Sequence, residues 1–212
     1  MATSTTLLFT GTDVEPASEA ALNDWYDQRH VPQRAAVPGF LTARRWEALE
    51  GGPKYLALYD LAGLEVLQTP EYKALSQPPL RTEADAEMAK TFKNPVRVVM
   101  SQVAQAGSAD APAPGAIKGL LVVSLQPEAG YEDEFNDWYT MEHIVYGARV
   151  PGLLRVRRFK AVEGTPAYLA LWELADPNIP NTQPWREALD TPWAVRIRKH
   201  FSRNFRGIYQ PR

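Results

Sequence analysis

The chain carries one pattern twice. Residues 23–61 align without a gap on residues 136–174 at a constant offset of 113, and 21 of the 39 positions are identical. The shared positions include Asn23/Asn136, Asp24/Asp137, Trp25/Trp138, Tyr26/Tyr139, His30/His143, Pro38-Gly39/Pro151-Gly152, Arg44-Arg45/Arg157-Arg158 and Tyr55/Tyr168. Repetition on this scale decides the architecture before any propensity argument, because both copies must fold alike and like halves tend to pack about a pseudo-two-fold axis. Downstream the match loosens, but Lys90, Phe92 and Arg97 still find partners in Lys199, Phe201 and Arg206.

Each copy reads as strand, helix, strand, strand, helix, strand. In the first these are Thr6–Gly11, Ala17–Val31, Phe40–Ala48, Tyr55–Leu61, a helical region within Leu64–Lys90 broken near Pro78-Pro79, and Val96–Val103. Leu22, Trp25, Tyr26 and His30, repeated as Phe135, Trp138, Tyr139 and His143, recur at the three- and four-residue spacing of one buried helix stripe. Glu50-Gly51-Gly52-Pro53 and Glu163-Gly164-Thr165-Pro166 supply hairpin turn chemistry. The order βαββαβ is the ferredoxin-like unit. One such unit leaves a sheet face uncovered, so the chain is expected to be α+β, with two tandem units packed sheet to sheet as an intramolecular barrel-like pseudo-dimer. The expected division is a first repeat over residues 1–103, a linker of small residues, prolines and glycines over 104–116, and a second repeat over 117–212.

Composition narrows the function classes. With no cysteine, disulfides, thiolate nucleophiles and cysteine metal sites are all excluded. The first 110 residues hold 10 basic and 14 acidic side chains and the remainder 13 and 11, so neither half reads as a nucleic-acid surface. The basic stretch Arg196, Arg198, Lys199, Arg203, Arg206 is read as cations favoured near a helix C-terminus. No run approaches the roughly 18 apolar residues of a membrane helix, and no secretory signal is evident, so a cytoplasmic setting is expected.

The motif Asn-Asp-Trp-Tyr-Asp-Gln-Arg-His, its second copy Asn-Asp-Trp-Tyr-Thr-Met-Glu-His, and the Val-Pro-Gly that follows each resemble the EthD-like branch of the dimeric α+β barrel superfamily. Members commonly carry an aromatic pair on the first helix and a histidine about one turn on. The pair often runs Tyr-Trp, whereas here it runs Trp-Tyr. The resemblance implies a pocket between sheet and helices for a small hydrophobic or aromatic molecule. It also implies cofactor-independent chemistry drawn from decarboxylation, cyclisation, isomerisation or oxygenation, in aromatic breakdown or polyketide tailoring.

Two of only three histidines occupy equivalent positions, which makes His30 and His143 the leading catalytic candidates, with Tyr26 and Tyr139 four residues before them on the same helix face. An imidazole titrates near neutral pH and suits proton abstraction beside a carbonyl or from a phenol, while the tyrosine could donate to a developing oxyanion. Each could equally be an inert helix-end residue. Trp25 and Trp138 read as core anchors, and Asp24 and Asp137 point away from the Tyr–His line. His200, opposite Thr91, reads as a surface residue.

On a strand, one of each arginine pair must face inward. The face shared with Trp46 and Phe159 nominates Arg44 and Arg157 to hold a substrate carboxylate or phenolate. Tyr55, Tyr59, Tyr168 and Trp172 alternate on the next strand as candidate cavity walls. No phosphate loop, dinucleotide fingerprint, HExxH or GxSxG occurs. Neither a metal nor another cofactor is expected, although a haem-binding variant of the barrel could use one axial histidine.

The leading expectation is therefore a cofactor-independent lyase or isomerase of a small aromatic or phenolic carbonyl compound. The alternatives are a cofactor-independent oxygenase or a binding protein without turnover. The intramolecular pseudo-dimer leaves room for a further homodimer, and no nucleic-acid or membrane partner is expected.

Overall fold

The computed structural model describes residues 6–113 and 115–212. Eight strands close into one barrel in the order β1-β3-β2-β8-β5-β7-β6-β4. The first repeat contributes β1 (Thr6–Val14), β2 (Phe40–Gly51), β3 (Tyr55–Leu61) and β4 (Phe92–Gly107), and the second β5 (Gly119–Pro127), β6 (Leu153–Glu163), β7 (Tyr168–Leu174) and β8 (Phe201–Pro211). The antiparallel pairs β2–β8 and β4–β6 join the repeats at both edges, so two ferredoxin-like sheets become one closed surface with no free edge.

Alternation along the strands explains why every residue of β3 and β7 is buried. One face fills the barrel interior, where Phe9, Trp46, Leu58, Met100, Val122, Phe159, Leu171 and Tyr209 meet. The other face lies under the helices of its own repeat. Tyr55, Ala57 and Tyr59 pack with Leu22 and Tyr26 in the first, and Tyr168, Ala170 and Trp172 pack with Phe135 and Tyr139 in the second.

The first helix of each repeat runs further than its hydrophobic stripe suggested. Helix α1 (Glu19–Trp25) passes through a π turn, Tyr26–His30, into α2 (Val31–Ala35). Helix α5 (Glu132–Trp138) does the same through Tyr139–His143 into α6 (Ile144–Gly147). The N–H of Val31 donates to Tyr26 O, and that of Ile144 to Tyr139 O, each five residues back. Pro32 is not the cause, since Val145 stands at the equivalent place. Such turns often mark functional positions, and here each is bounded by the tyrosine and the histidine of the repeated motif.

The second helical region of the first repeat is a short 3₁₀ turn at Leu64–Gln68 followed by α3 (Pro70–Ala74) and α4 (Glu83–Lys90). Its counterpart comprises α7 (Gln183–Leu189) and α8 (Pro192–Ile197). Threonines cap these helices: Thr69, Thr82, Thr182 and Thr191 each accept a backbone N–H of the first turn. Gly39 and Gly152, at φ 93° and 86°, turn the chain into β2 and β6, and a Cβ at either would come within 2.6 Å of Val66 or Ile179.

The expected boundary after residue 103 falls inside β4. Ala104, Gln105, Ala106 and Gly107 pair with Arg158, Arg157, Val156 and Arg155. Small residues suit a linker, but here they suit a strand that crosses closely to the other repeat, and Ala104 and Ala106 pack on the second core. The rest of the expected linker includes residue 114, which lies outside the described residues.

Candidate active site

Each repeat holds a cavity lined by the histidine of its π turn, the second between helices and sheet and the first among the helical segments, with Phe92 at the start of β4 in its wall. In the second repeat the space is about 380 Å³ and is walled by Trp138, Tyr139, Trp172, Trp185 and Phe201 around His143. In the first it is about 330 Å³, with Trp25, Tyr72 and Phe92 around His30. These volumes fall at the small end of ligand pockets.

The local geometry of the two copies is nearly the same. The rings of Tyr26 and His30 stand 4.8 Å apart edge to face, as do those of Tyr139 and His143. The indoles of Trp25 and Trp138 lie 4.1 and 4.3 Å from the same imidazoles. Burial, reinforced by Arg198, Arg203 and Arg158, pushes His143 down to about 3. Burial, reinforced by Arg34, pushes His30 down to about 2. Both rings are therefore neutral at physiological pH. Burial also raises Tyr26, and it pushes Tyr139 up to about 12, so each phenol keeps its proton and can act as a donor.

The copies differ in what holds the polar atoms. Arg34 NH1 lies 3.0 Å from Nδ1 of His30. A guanidinium only donates, so Nδ1 must be the acceptor and the neutral ring carries its proton on Nε2. The equivalent of Arg34 is Gly147, and the ring of His143 makes no hydrogen bond with any described residue. Likewise Trp25 Nε1 donates to Asp85 Oδ1 at 2.8 Å, whereas Trp138 Nε1 is buried without a partner. The second cavity thus keeps free the imidazole nitrogen that the first has committed to Arg34, and beside it the buried Trp138 N–H lacks the partner that Asp85 gives Trp25.

The strand arginines do not join these cavities. Arg44 and Arg157 face the barrel interior with Trp46 and Phe159, because those large rings fill the barrel centre and carry their strand face inward with them. Arg157 is buried and bonded to Asp60 (2.5 Å) and Glu173 (3.2 Å), and Glu173 in turn takes both Nε and NH2 of Arg155 at 2.7 and 2.9 Å. Arg44 and Trp46 instead border a separate space of about 540 Å³ with Ile117, Lys118 and Arg212.

The other member of each pair lies under the helix. Arg45 donates to Asn23 and Asp27 at 2.7 and 2.6 Å and stands 4.6 Å from the Tyr26 ring centre. Arg158 donates to Asn136 at 2.6 Å and stands 4.6 Å from the ring centres of both Tyr139 and Tyr168. The repeated Asn and the second repeated Arg thus form a clamp that seats the helix, and the tyrosine with it, on the sheet. Tyr55, Tyr59 and Tyr168 belong to this layer but do not line the histidine cavities, while Trp172 does. His200 is half-buried, stacked on Tyr131 at 3.5 Å and paired with Glu128.

The cations at the cavity mouths come from elsewhere. Arg186, Arg198, Arg203 and Arg206 line the second cavity beside a single carboxylate, Asp190. Three of these, Arg198, Arg203 and Arg206, belong to the basic stretch near the end of the last helix. Its density of charge was the available signal, but the fold was needed to turn it toward His143. Among the described residues no group of three or more His, Asp or Glu side chains is placed to hold a metal, and no helix is long and apolar enough to cross a membrane.

No protein-family model matches the chain, and no curated protein matches it by sequence. Solved structures do match by fold. An anthrone oxidase-like protein superposes with a TM-score of 0.72 at 12% identity, covering 99% of this chain and 92% of its own. A protein described as a candidate monooxygenase from Fusobacterium nucleatum gives 0.62 at 9%, covering 100% and 94%. A ferredoxin fold protein from Listeria monocytogenes, related to antibiotic biosynthesis monooxygenases, gives 0.53 at 11%, covering 99% and 95%. The fold is accordingly the dimeric α+β barrel built from two ferredoxin-like units, here within one chain.

Proposed function

We propose that the chain is an oxygenase of a small, anionic or phenolic aromatic compound, acting in the second-repeat cavity with His143 as general base. The observation that carries this reading is a neutral imidazole, free of internal hydrogen bonds, in an aromatic-walled cavity with arginines at its mouth. The low basicity that burial imposes on the ring does not disqualify the base. Proton transfer from a phenol, or from a methylene activated by a ring carbonyl, creates an imidazolium and a substrate anion together, and each stabilises the other. Tyr139, in the wall of the same cavity, can donate to the developing oxyanion.

The electron-rich anion can then give electrons to O2. For an anthrone the balance closes without an outside reductant: the methylene loses two hydrogens, one oxygen atom becomes the new carbonyl, and the other leaves as water. Neighbours described as anthrone oxidase-like and monooxygenase-like support this reading over a lyase or isomerase, which would use the same proton transfer. Assignment to the EthD-like branch belongs to the same proposal and rests on the repeated helix motif.

The test is O2 uptake with anthrone as substrate. Uptake coupled to quinone formation, reduced about 10²–10⁴-fold in His143→Gln, is the expected result. Product formed equally under argon would favour the lyase or isomerase, and saturable binding with no product would favour a carrier.

A further inference from the structure

We propose that the first-repeat cavity is a separate ligand site that binds an aromatic carboxylate or phenolate, with His30 serving as a hydrogen-bond donor and not as a base. Three observations converge on it.

The first is the tautomer. Because Arg34 occupies Nδ1 of His30, the only ring nitrogen left for a ligand is the protonated Nε2, which has no partner among the described residues. A group fixed in that form can recognise an oxygen but cannot take its proton.

The second is charge. Arg34, Lys73 and Arg81 line this cavity, and none of them is paired with a carboxylate among the described residues. The one acid present, Asp85, is already spent. Its oxygens accept both Nε and NH2 of Arg29 at 2.7 and 2.8 Å, the Trp25 indole at 2.8 Å and the N–H of Thr82 at 2.7 Å. Three unneutralised cations around one committed carboxylate favour an anion.

The third is shape and surface. Trp25, Tyr72 and Phe92 give the walls flat apolar faces, and about 330 Å³ suits one or two fused rings. The contrast with His143 rests on the function proposed above, but the binding claim does not need it.

Salicylate is a suitable probe, followed by imidazole-nitrogen NMR of the full chain, in which His143 provides an internal comparison. Before addition, His30 is expected as the single Nε2–H tautomer at neutral pH. Salicylate is expected to shift the His30 nitrogens and the Trp25 indole resonance with a saturable curve. Arg34→Met, which keeps volume and removes the charge, is expected to weaken that curve at least about tenfold, the loss of a charge-assisted hydrogen bond. Arg81→Gln, at the exposed rim, is expected to weaken it less.

Shifts confined to His143 would overturn this proposal and leave the second-cavity reading intact. No shift at either histidine, a His30 found as Nδ1–H, or an unchanged curve in Arg34→Met would each overturn it as well.

Discussion

Gly147 lies directly against the indole of Trp172: a Cβ on that glycine would stand 2.4 Å from Cζ3 of the ring. The equivalent pair in the first repeat is Arg34 and Tyr59. The smaller ring there leaves space for a side chain that reaches back to the histidine, whereas the larger ring fills that space and leaves His143 free. The two differences are thus one physical exchange. Gly147→Ala is expected to push Trp172 into the cavity, lowering stability by about 1–3 kcal/mol and weakening ligand binding, as followed by urea denaturation and titration.

Installing the first repeat's pair in the second should convert its chemistry. In the double variant Gly147→Arg, Trp172→Tyr, the new guanidinium is expected to take Nδ1 of His143. Turnover should fall by about 10²-fold or more with the change mainly in kcat, because the base is lost while the apolar walls largely remain. A change confined to KM would show that the free nitrogen is not what distinguishes the copies.

The clamp beneath each helix should matter more for folding than for chemistry. Arg158 is 1% exposed and its hydrogen bond to Asn136 is the one that ties it to α5. Asn136→Ala leaves a buried guanidinium nitrogen unpaired, which is expected to cost about 1–3 kcal/mol in chemical denaturation. Asn136→Asp, which keeps an acceptor, is expected to recover much of the loss.

Acid should destabilise the fold in two stages. His30 and His143 are held neutral by burial and by the arginines that face them, Arg34 and Arg45 for the first and Arg198, Arg203 and Arg158 for the second, against which only Asp85 favours protonation of His30. Their folded pKa values lie below the unfolded value of about 6.5, so the unfolded chain binds more protons and stability falls as pH drops below that value. The urea midpoint should decline from pH 7 to pH 5, and less so in a His30→Gln, His143→Gln double variant. Burial alone would raise Asp60, but Arg157 and Thr42 more than offset it and hold the carboxyl below its ordinary range. That contribution is present above the unfolded Asp pKa and is lost as pH falls through the folded one. Asp60→Asn, which removes the acid partner that Arg157 finds in the other repeat and leaves it only Glu173, is expected to cost about 3–5 kcal/mol at neutral pH.

Much of this architecture was legible in the residues, and the exceptions have a common physical origin. Duplication and strand alternation were enough to imply two βαββαβ units closing on each other. Alternation also said that one arginine of each pair faces inward, but it could not say which. Both faces of this sheet are buried, one in the barrel and one under helices, so the face that carries Trp46 and Phe159 fills the barrel and does not wall the histidine cavities. The π turns were hidden because they depend on a five-residue hydrogen bond that no propensity marks. Arg34 and Gly147 occupy equivalent positions in the two copies, but what that difference does to the imidazole depends on the 3.0 Å contact, which only the fold supplies.

The most direct test of the account is a stopped-flow mixture of the protein with a chromophoric hydroxyaromatic ketone under argon, read at the absorbance of the deprotonated compound. The wild-type chain should produce that spectrum in a rapid phase with no oxygen present, His143→Gln should not, and admitting O2 should then consume it. Deprotonation of equal rate and amplitude in His143→Gln would contradict the assignment of the base and, with it, the role given to the second cavity.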